Sequence, residues 1–160
     1  MIRCRTLGLG LAGAVVGVLL ALTACAFIPE DAVETTLRCD DCREAQVELV
    51  FDGDTVIITG DRVVRLFGVD APELGQLCAS EATKRLRELA GDTIRLEDGP
   101  RLTDEFGRMT AYVYTVDGVS VDEILVREGL AIASPGAGQH RNILVNLEKE
   151  ARTRETGCLW

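Results

Sequence analysis

Phe51-Asp52-Gly53-Asp54-Thr55-Val56-Ile57-Ile58-Thr59-Gly60-Asp61-Arg62-Val63-Val64-Arg65-Leu66-Phe67-Gly68-Val69-Asp70-Ala71-Pro72-Glu73 holds β-branched, apolar runs between turn residues. With Val47-Glu48-Leu49-Val50 before it, it predicts a strand over 47–51 and another over 55–59. The turn between them is Asp52-Gly53-Asp54, with Gly53 supplying special backbone angles. Gly60-Asp61 makes a second turn, and a third strand runs from Arg62 to Val69. Asp70-Ala71-Pro72-Glu73 ends it, because proline cannot donate into a sheet.

Outward from this stretch, Ser80 to Ala90 predicts a helix, with Ser80 as its cap and Ala82, Leu86 and Leu89 on one face. Gly91 stops it. Thr93–Leu96 and Met109–Thr115 read as strands joined by a loop that contains Gly99-Pro100 and Phe106-Gly107. Val121 to Glu128 is a short helix, Ser134 to Gly138 a Gly/Pro loop, and Ile143 to Arg154 a last amphipathic helix. Five short strands, a helix between the third and fourth, and C-terminal helices suit an α+β, mainly β fold. The expected form is a five-stranded OB-fold barrel with about three helices. Element order alone leaves other α+β arrangements open.

Arg3 and Arg5 precede an uncharged run from Thr6 to Pro29, the build of a secretory signal. Leu22-Thr23-Ala24-Cys25 resembles a bacterial lipobox, so residues 1–24 are expected to be removed and Cys25 to be lipidated. The alternative is an uncleaved membrane-spanning helix. Either way the remainder is exported, and the expected location is the extracytoplasmic face of the cell membrane. Ala26 to Glu44 is polar, acidic and aperiodic, so 25–44 reads as a tether and 45–160 as one compact domain.

The 160-residue chain has a net charge of −9, and removing residues 1–24 leaves 15 basic against 26 acidic residues, or −11. Only Lys84 and Lys149 are lysine. Affinity for a phosphate backbone normally comes from Lys and Arg. A nucleic-acid ligand therefore implies focused arginines, a bound dication, and weak, salt-sensitive binding. Cys39, Cys42, Cys78 and Cys158 remain outside the signal and lipobox. Four cysteines allow three connectivities, and Cys39–Cys42 with Cys78–Cys158 is the preferred pairing. Cys39-Asp40-Asp41-Cys42 also has the spacing of half a zinc site or a redox pair, but the lone His140 is far off in sequence.

Arg65 lies in a strand otherwise apolar on both faces, where an unpaired charge is costly. It either pairs with a local carboxylate or aims its fork at a phosphate. Asp52 and Asp54 flank one turn, and Asp70 and Glu73 bracket Ala71-Pro72. Each pair sits at a strand end, so both can converge on one rim as a hard-oxygen site suited to Ca²⁺. Singly, these are also ordinary turn and strand-stop residues.

Together, Phe51 to Val56, Val64 to Glu73 and Asp104-Glu105-Phe106-Gly107-Arg108 closely resemble three signature blocks of the staphylococcal nuclease family. Ala111-Tyr112-Val113-Tyr114, Leu125-Val126-Arg127-Glu128-Gly129-Leu130-Ala131 and Gly157-Cys158-Leu159-Trp160 extend the resemblance over about residues 45–160. The resemblance implies a Ca²⁺-dependent nuclease acting on DNA or RNA and leaving 3′-phosphate and 5′-hydroxyl ends. By the same resemblance Asp54 and Asp70 match the Ca²⁺ carboxylates, and Ala71 matches the position that gives a backbone carbonyl. Asp52 and Thr55 are supporting residues, Glu73 orients or deprotonates the attacking water, and Arg65 and Arg108 grip the phosphate. Phe106 takes a substrate-binding position that carries tyrosine in the best-known member, and Glu105 stands where that member has lysine. Ser134 to Gly138 lacks that member's nucleotide-packing tyrosines. His140 is expected in a loop or helix start, without a catalytic role.

The expected partners are nucleic acid and, through the lipid anchor, the membrane, with the protein a monomer. The alternatives are a non-catalytic OB-fold lipoprotein that binds nucleic acid or protein, or a surface lipoprotein in which Ca²⁺ serves only folding or adhesion.

Overall fold

The computed structural model describes residues 35–160; the signal segment and Cys25 lie outside the described residues. Five strands form a closed barrel in the order β1-β2-β3-β6-β5. They are β1 (Arg43–Val50), β2 (Thr55–Ile58), β3 (Arg62–Leu66), β5 (Thr93–Thr103) and β6 (Met109–Thr115). A two-residue strand, β4 (Val69–Asp70), pairs with β7 (Ile132–Ala133) outside the barrel. Three helices follow the order the sequence implies: α1 (Ala79–Ala90), α2 (Val121–Arg127) and α3 (Arg141–Thr153). The expected α+β, mainly β barrel with three helices is the architecture observed.

The pairing is antiparallel except between β3 and β6, whose parallel register (Arg65 opposite Thr110) closes the barrel. Val56, Ile58, Val64, Leu66 and Ile94 fill the interior. Leu86, Leu125 and Leu144 bring the three helices onto the same core, each fully buried. Burial of one such leucine contributes roughly 1.5–3 kcal/mol. α1 buries Ala79, Ala82, Leu86 and Ala90, close to the predicted face, with Leu89 half-buried beside them.

Four details depart from the sequence reading. The tether read over 25–44 is shorter. Leu37 is buried, the Thr36 and Leu37 N–H groups donate to the Glu123 carboxylate at 2.8–2.9 Å, and β1 already begins at Arg43. Glu123 is itself buried and paired with Arg127 at 2.7 Å, so it takes part in a built clamp on the polar segment, which periodicity does not show. The third strand stops at Leu66 instead of reaching Val69, because Gly68 turns the chain and donates its N–H to Asp122 Oδ1 at 2.9 Å. The fourth strand runs on to Thr103 through Gly99-Pro100, with an irregular register between Asp98 and Thr103. Proline is accommodated at such a break in the ladder. Ser80 does not cap α1: the residue before the helix is Cys78, at φ 71°, and the Ser80 hydroxyl binds Glu81 instead.

Cys39–Cys42 and Cys78–Cys158 form disulfides with Cα separations of 5.6 and 5.7 Å. The second ties the start of α1 to the C-terminal residues, 80 positions away.

Candidate active site

The turn before β2 is held by crowding. A Cβ on Gly53 would lie 2.7 Å from the Ala71 Cβ and 2.8 Å from the Ala82 Cβ, so only glycine lets this turn pack on the β4–α1 segment. Its reason is close approach, not the special backbone angles the sequence suggested. Asp52 Oδ1 accepts the Asp54 N–H at 3.1 Å and sets the turn. The packing brings Asp54 against Ala71, whose N–H donates to Asp54 Oδ2 at 2.6 Å. Thr55, buried, donates its hydroxyl to Asp54 Oδ1 at 3.2 Å.

Asp54 is only 6% exposed. Desolvation pushes its carboxyl up to about 7, against the lowering effects of Arg65 and the Ala71 N–H; the nearby Asp52 and Asp70 charges add to the rise. Arg65 is drawn in from β3. Its Nη2 lies 3.0 Å from Asp54 Oδ2 and 2.6 Å from Asp70 Oδ1, while Nη1 donates to the carbonyls of Leu66 and Val69 at 2.9 and 2.8 Å. Of the two roles expected for this residue, carboxylate pairing is present, and one guanidinium joins both acids. Glu73 follows in the turn after β4. Its backbone is fixed by Gln76 through two hydrogen bonds of 2.9 Å, and its carboxylate is exposed with no ion pair among the described residues.

Arg108 enters from the loop between β5 and β6. Asp104 organises that loop: Oδ1 accepts the N–H groups of Phe106 and Arg108 at 2.9 and 2.8 Å, and Oδ2 accepts Arg108 Nε at 2.6 Å. These bonds hold the Asp104 carboxyl below its usual range against the opposing effect of desolvation. Arg65 and Arg108 line one open cleft of about 200 Å³ with Arg101, Asp104, Thr110 and Ser134. The sequence reading assigned no role to Arg101 or Asp104. Arg101 Nη2 lies 3.9 Å from where a Gly136 Cβ would stand, so this arginine reaches across the cleft to the Gly/Pro loop. Asp104 was legible as part of a motif; Arg101, in an irregular stretch of β5, carried no signal.

Phe106 does not line this cleft. Its ring, 76% exposed, faces the adjoining groove, with Arg108 Cζ 5.6 Å from the ring centroid. His140 stands at the start of α3 and binds Glu97 Oε2 through Nε2 at 2.9 Å, a bracing contact at the far end of the Gly/Pro loop.

Among the described residues no three His, Cys, Asp or Glu side chains converge as a metal cluster. Asp54 and Asp70 are the two acids that meet, through a shared cation. A site built on them draws its remaining donors from backbone oxygen and water. That all-oxygen set fits a hard cation such as Ca²⁺, and a buried, crowded carboxylate gains most from one.

The family model described as staphylococcal nuclease homologue matches residues 63–160. The chain belongs to the staphylococcal nuclease family. It is 34% identical over 119 residues to an uncharacterized endonuclease of Escherichia coli O157:H7, covering 72% of this chain and 75% of that one. A thermonuclease of Staphylococcus intermedius is 35% identical over 123 residues, covering 68% and 71%. A micrococcal nuclease of Shigella flexneri is 33% identical over 129 residues, covering 72% of each. The family match begins at Val63, so Asp52, Asp54 and Thr55 lie before it; their place in the site rests on the contacts described above.

Proposed function

We propose that this member of the staphylococcal nuclease family is a Ca²⁺-dependent nuclease that hydrolyses phosphodiester bonds of DNA or RNA from an anchor on the outer face of the membrane. The observation that carries the reading is the shared cleft. Arg65 and Arg108 line it together, and Arg65 also touches the Asp54–Asp70 pair. A phosphodiester seated between two guanidinium forks has its growing charge stabilised on both sides. Asp104 holds the Arg108 side chain for this, and Arg65 is fixed by two backbone carbonyls. Glu73, three residues beyond Asp70 and free of ion pairs among the described residues, orients a water and takes its proton.

Ca²⁺ would be held by Asp54, Asp70 and the Ala71 carbonyl, with Asp52 and Thr55 supporting Asp54; when bound it supplies Lewis-acid neutralisation of the phosphate. The ends expected from the family resemblance are 3′-phosphate and 5′-hydroxyl. The anchor is Cys25. Two disulfides in the folded part support an oxidising, extracytoplasmic location.

Cleavage of a fluorogenic oligonucleotide, with Ca²⁺ and with chelator, tests the activity beside Glu73→Gln and Arg108→Ala. Ca²⁺-dependent turnover lost in both variants is expected; no turnover by the parent protein in excess Ca²⁺ refutes it. For the anchor, Cys25→Ala should move the protein from the membrane to the soluble fraction of the cells that express it.

A further inference from the structure

Beside the phosphate cleft lies a larger open groove of about 620 Å³ that the reading above leaves without a task. Its lining includes the apolar side chains of Val63, Leu102, Phe106 and Met109 together with Arg62 and Arg108. Leu102 and Phe106 are 59% and 76% exposed and border the same groove, so they form an apolar patch instead of scattered surface residues. Arg43 also borders the groove, but it is paired with Asp98 at 3.2 Å. Arg62 has no carboxylate partner within 4 Å among the described residues; its Nε donates to the Thr59 carbonyl at 3.3 Å. The lining holds three arginines against Asp61 and Asp98, in a chain whose net charge is −9.

The groove adjoins the cleft at Arg108, which lines both. A strand whose scissile phosphate rests on Arg108 therefore carries its neighbouring nucleoside past Phe106. We infer that this groove is a second nucleotide subsite, in which a splayed base of a single-stranded substrate stacks on Phe106 over Val63 and Leu102 while Arg62 meets the next phosphate. The inference rests on the nuclease reading for its occupant. It also accounts for the other wall of the cleft. Ser134 and Gly136 there offer no ring and Phe67 is buried, so between cleft and groove the exposed ring is Phe106. Aromatic stacking tolerates every base, and a duplex, with its bases already paired, cannot use it.

The test compares substrates that differ only in length, using Leu102→Asp and Arg62→Ala, both exposed positions away from the phosphate cleft. On a single-stranded oligonucleotide of about twelve residues, each variant should raise KM about tenfold with kcat unchanged, in line with the loss of one stacked base or one phosphate contact. On a dinucleotide, which keeps the neighbouring base but has no next phosphate, Arg62→Ala should match the parent while Leu102→Asp still raises KM. Arg62→Ala should also flatten the slope of log affinity against log salt by about 0.7, the share of one single-strand phosphate. An equal effect of Arg62→Ala on both substrates, or no effect of either variant on the oligonucleotide, overturns the inference while leaving the nuclease reading intact. If the parent protein cleaves nothing, the same variants are read by fluorescence anisotropy of labelled oligothymidylate. Binding weakened about tenfold in both supports the subsite, and unchanged or absent binding overturns it.

Discussion

Arg65 and Asp54 form a largely buried ion pair, Nη2 to Oδ2 at 3.0 Å, with the arginine side chain 17% exposed and the carboxylate 8%. The same nitrogen is 2.6 Å from Asp70, so one cation holds together the two acids that the family resemblance assigns to Ca²⁺. Yet burial wins over this pairing, since Asp54 is still raised to about 7. A raised carboxyl is a carboxylate short of positive charge, and the proton competes with any metal for it.

The first prediction follows from that competition. Folding favours protonated Asp54, so its ionisation costs stability as pH rises from the usual carboxylate range through about 7. A cation that needs the ionised form should bind more tightly over the same interval. The Tm increase given by saturating Ca²⁺ should be larger at pH 8 than at pH 6, and Asp54→Asn should abolish most of it. An increase that is equal at both pH values contradicts the assignment of Asp54.

Asp104 is predicted to act through Arg108. Asp104→Asn keeps an acceptor for the loop N–H groups but weakens the 2.6 Å bond to Nε, so the guanidinium is less firmly aimed. Loss of aim in a phosphate clamp should lower kcat about 10- to 100-fold with little change in Tm, since misplacement of about 1 Å can cost a hundredfold. Arg108→Lys keeps the charge and loses the fork, and should fall at least as far. A large Tm drop with unchanged kcat would make Asp104 purely structural.

The barrel was legible because its strands alternate with strong turn signals, and β2, β6 and α1 lie within a residue or two of where periodicity puts them. What escaped was anything set by tertiary contact. Gly53 looked like a conformational glycine, whereas it is small because Ala71 and Ala82 press on it. Thr36 and Leu37 looked like tether, because the partner of their N–H groups, Glu123, sits 86 or more residues away on a helix where an acid reads as solvent-facing. Asp54 and Asp70 were legible as strand-end acids able to converge, though singly as ordinary turn residues, and Arg108 was legible only as a member of a family pattern. Arg101 was invisible, since its reach across the cleft depends on the irregular end of β5.

Asp122 supplies a stability prediction. It is fully buried on α2, and its two oxygens accept the N–H groups of Gly68 and Val113, both at 2.9 Å. Desolvation raises it to about 6 despite these bonds. The folded state thus holds this proton more tightly than the unfolded chain, and stability from this group declines as pH rises from about 4 to 6. Asp122→Asn removes that pH dependence but turns an acceptor into a donor facing a buried N–H. It should cost about 1–3 kcal/mol at neutral pH. Chemical denaturation at pH 4.5 and 7 measures both effects; the variant should show a smaller difference between them than the parent.

Arg101 gives the last prediction, and it bears on how so acidic a domain holds a polyanion. Glu105 places a negative charge beside the phosphate-gripping block, at a position where the resemblance leads one to expect a lysine. Arg101 lines the cleft from the other strand and reaches toward Gly136, with no ion pair among the described residues. Its charge is therefore uncompensated, whereas Arg65 and Arg108 each also hold an acid. Arg101→Ala should raise KM about fivefold to tenfold with kcat near that of the parent, and should flatten the salt dependence by about one phosphate contact. Arg101→Lys should restore much of the affinity, because a contact made through charge alone does not need the fork. Failure of lysine to rescue would mean that Arg101 works through its geometry, bracing the Gly/Pro loop instead of meeting the strand.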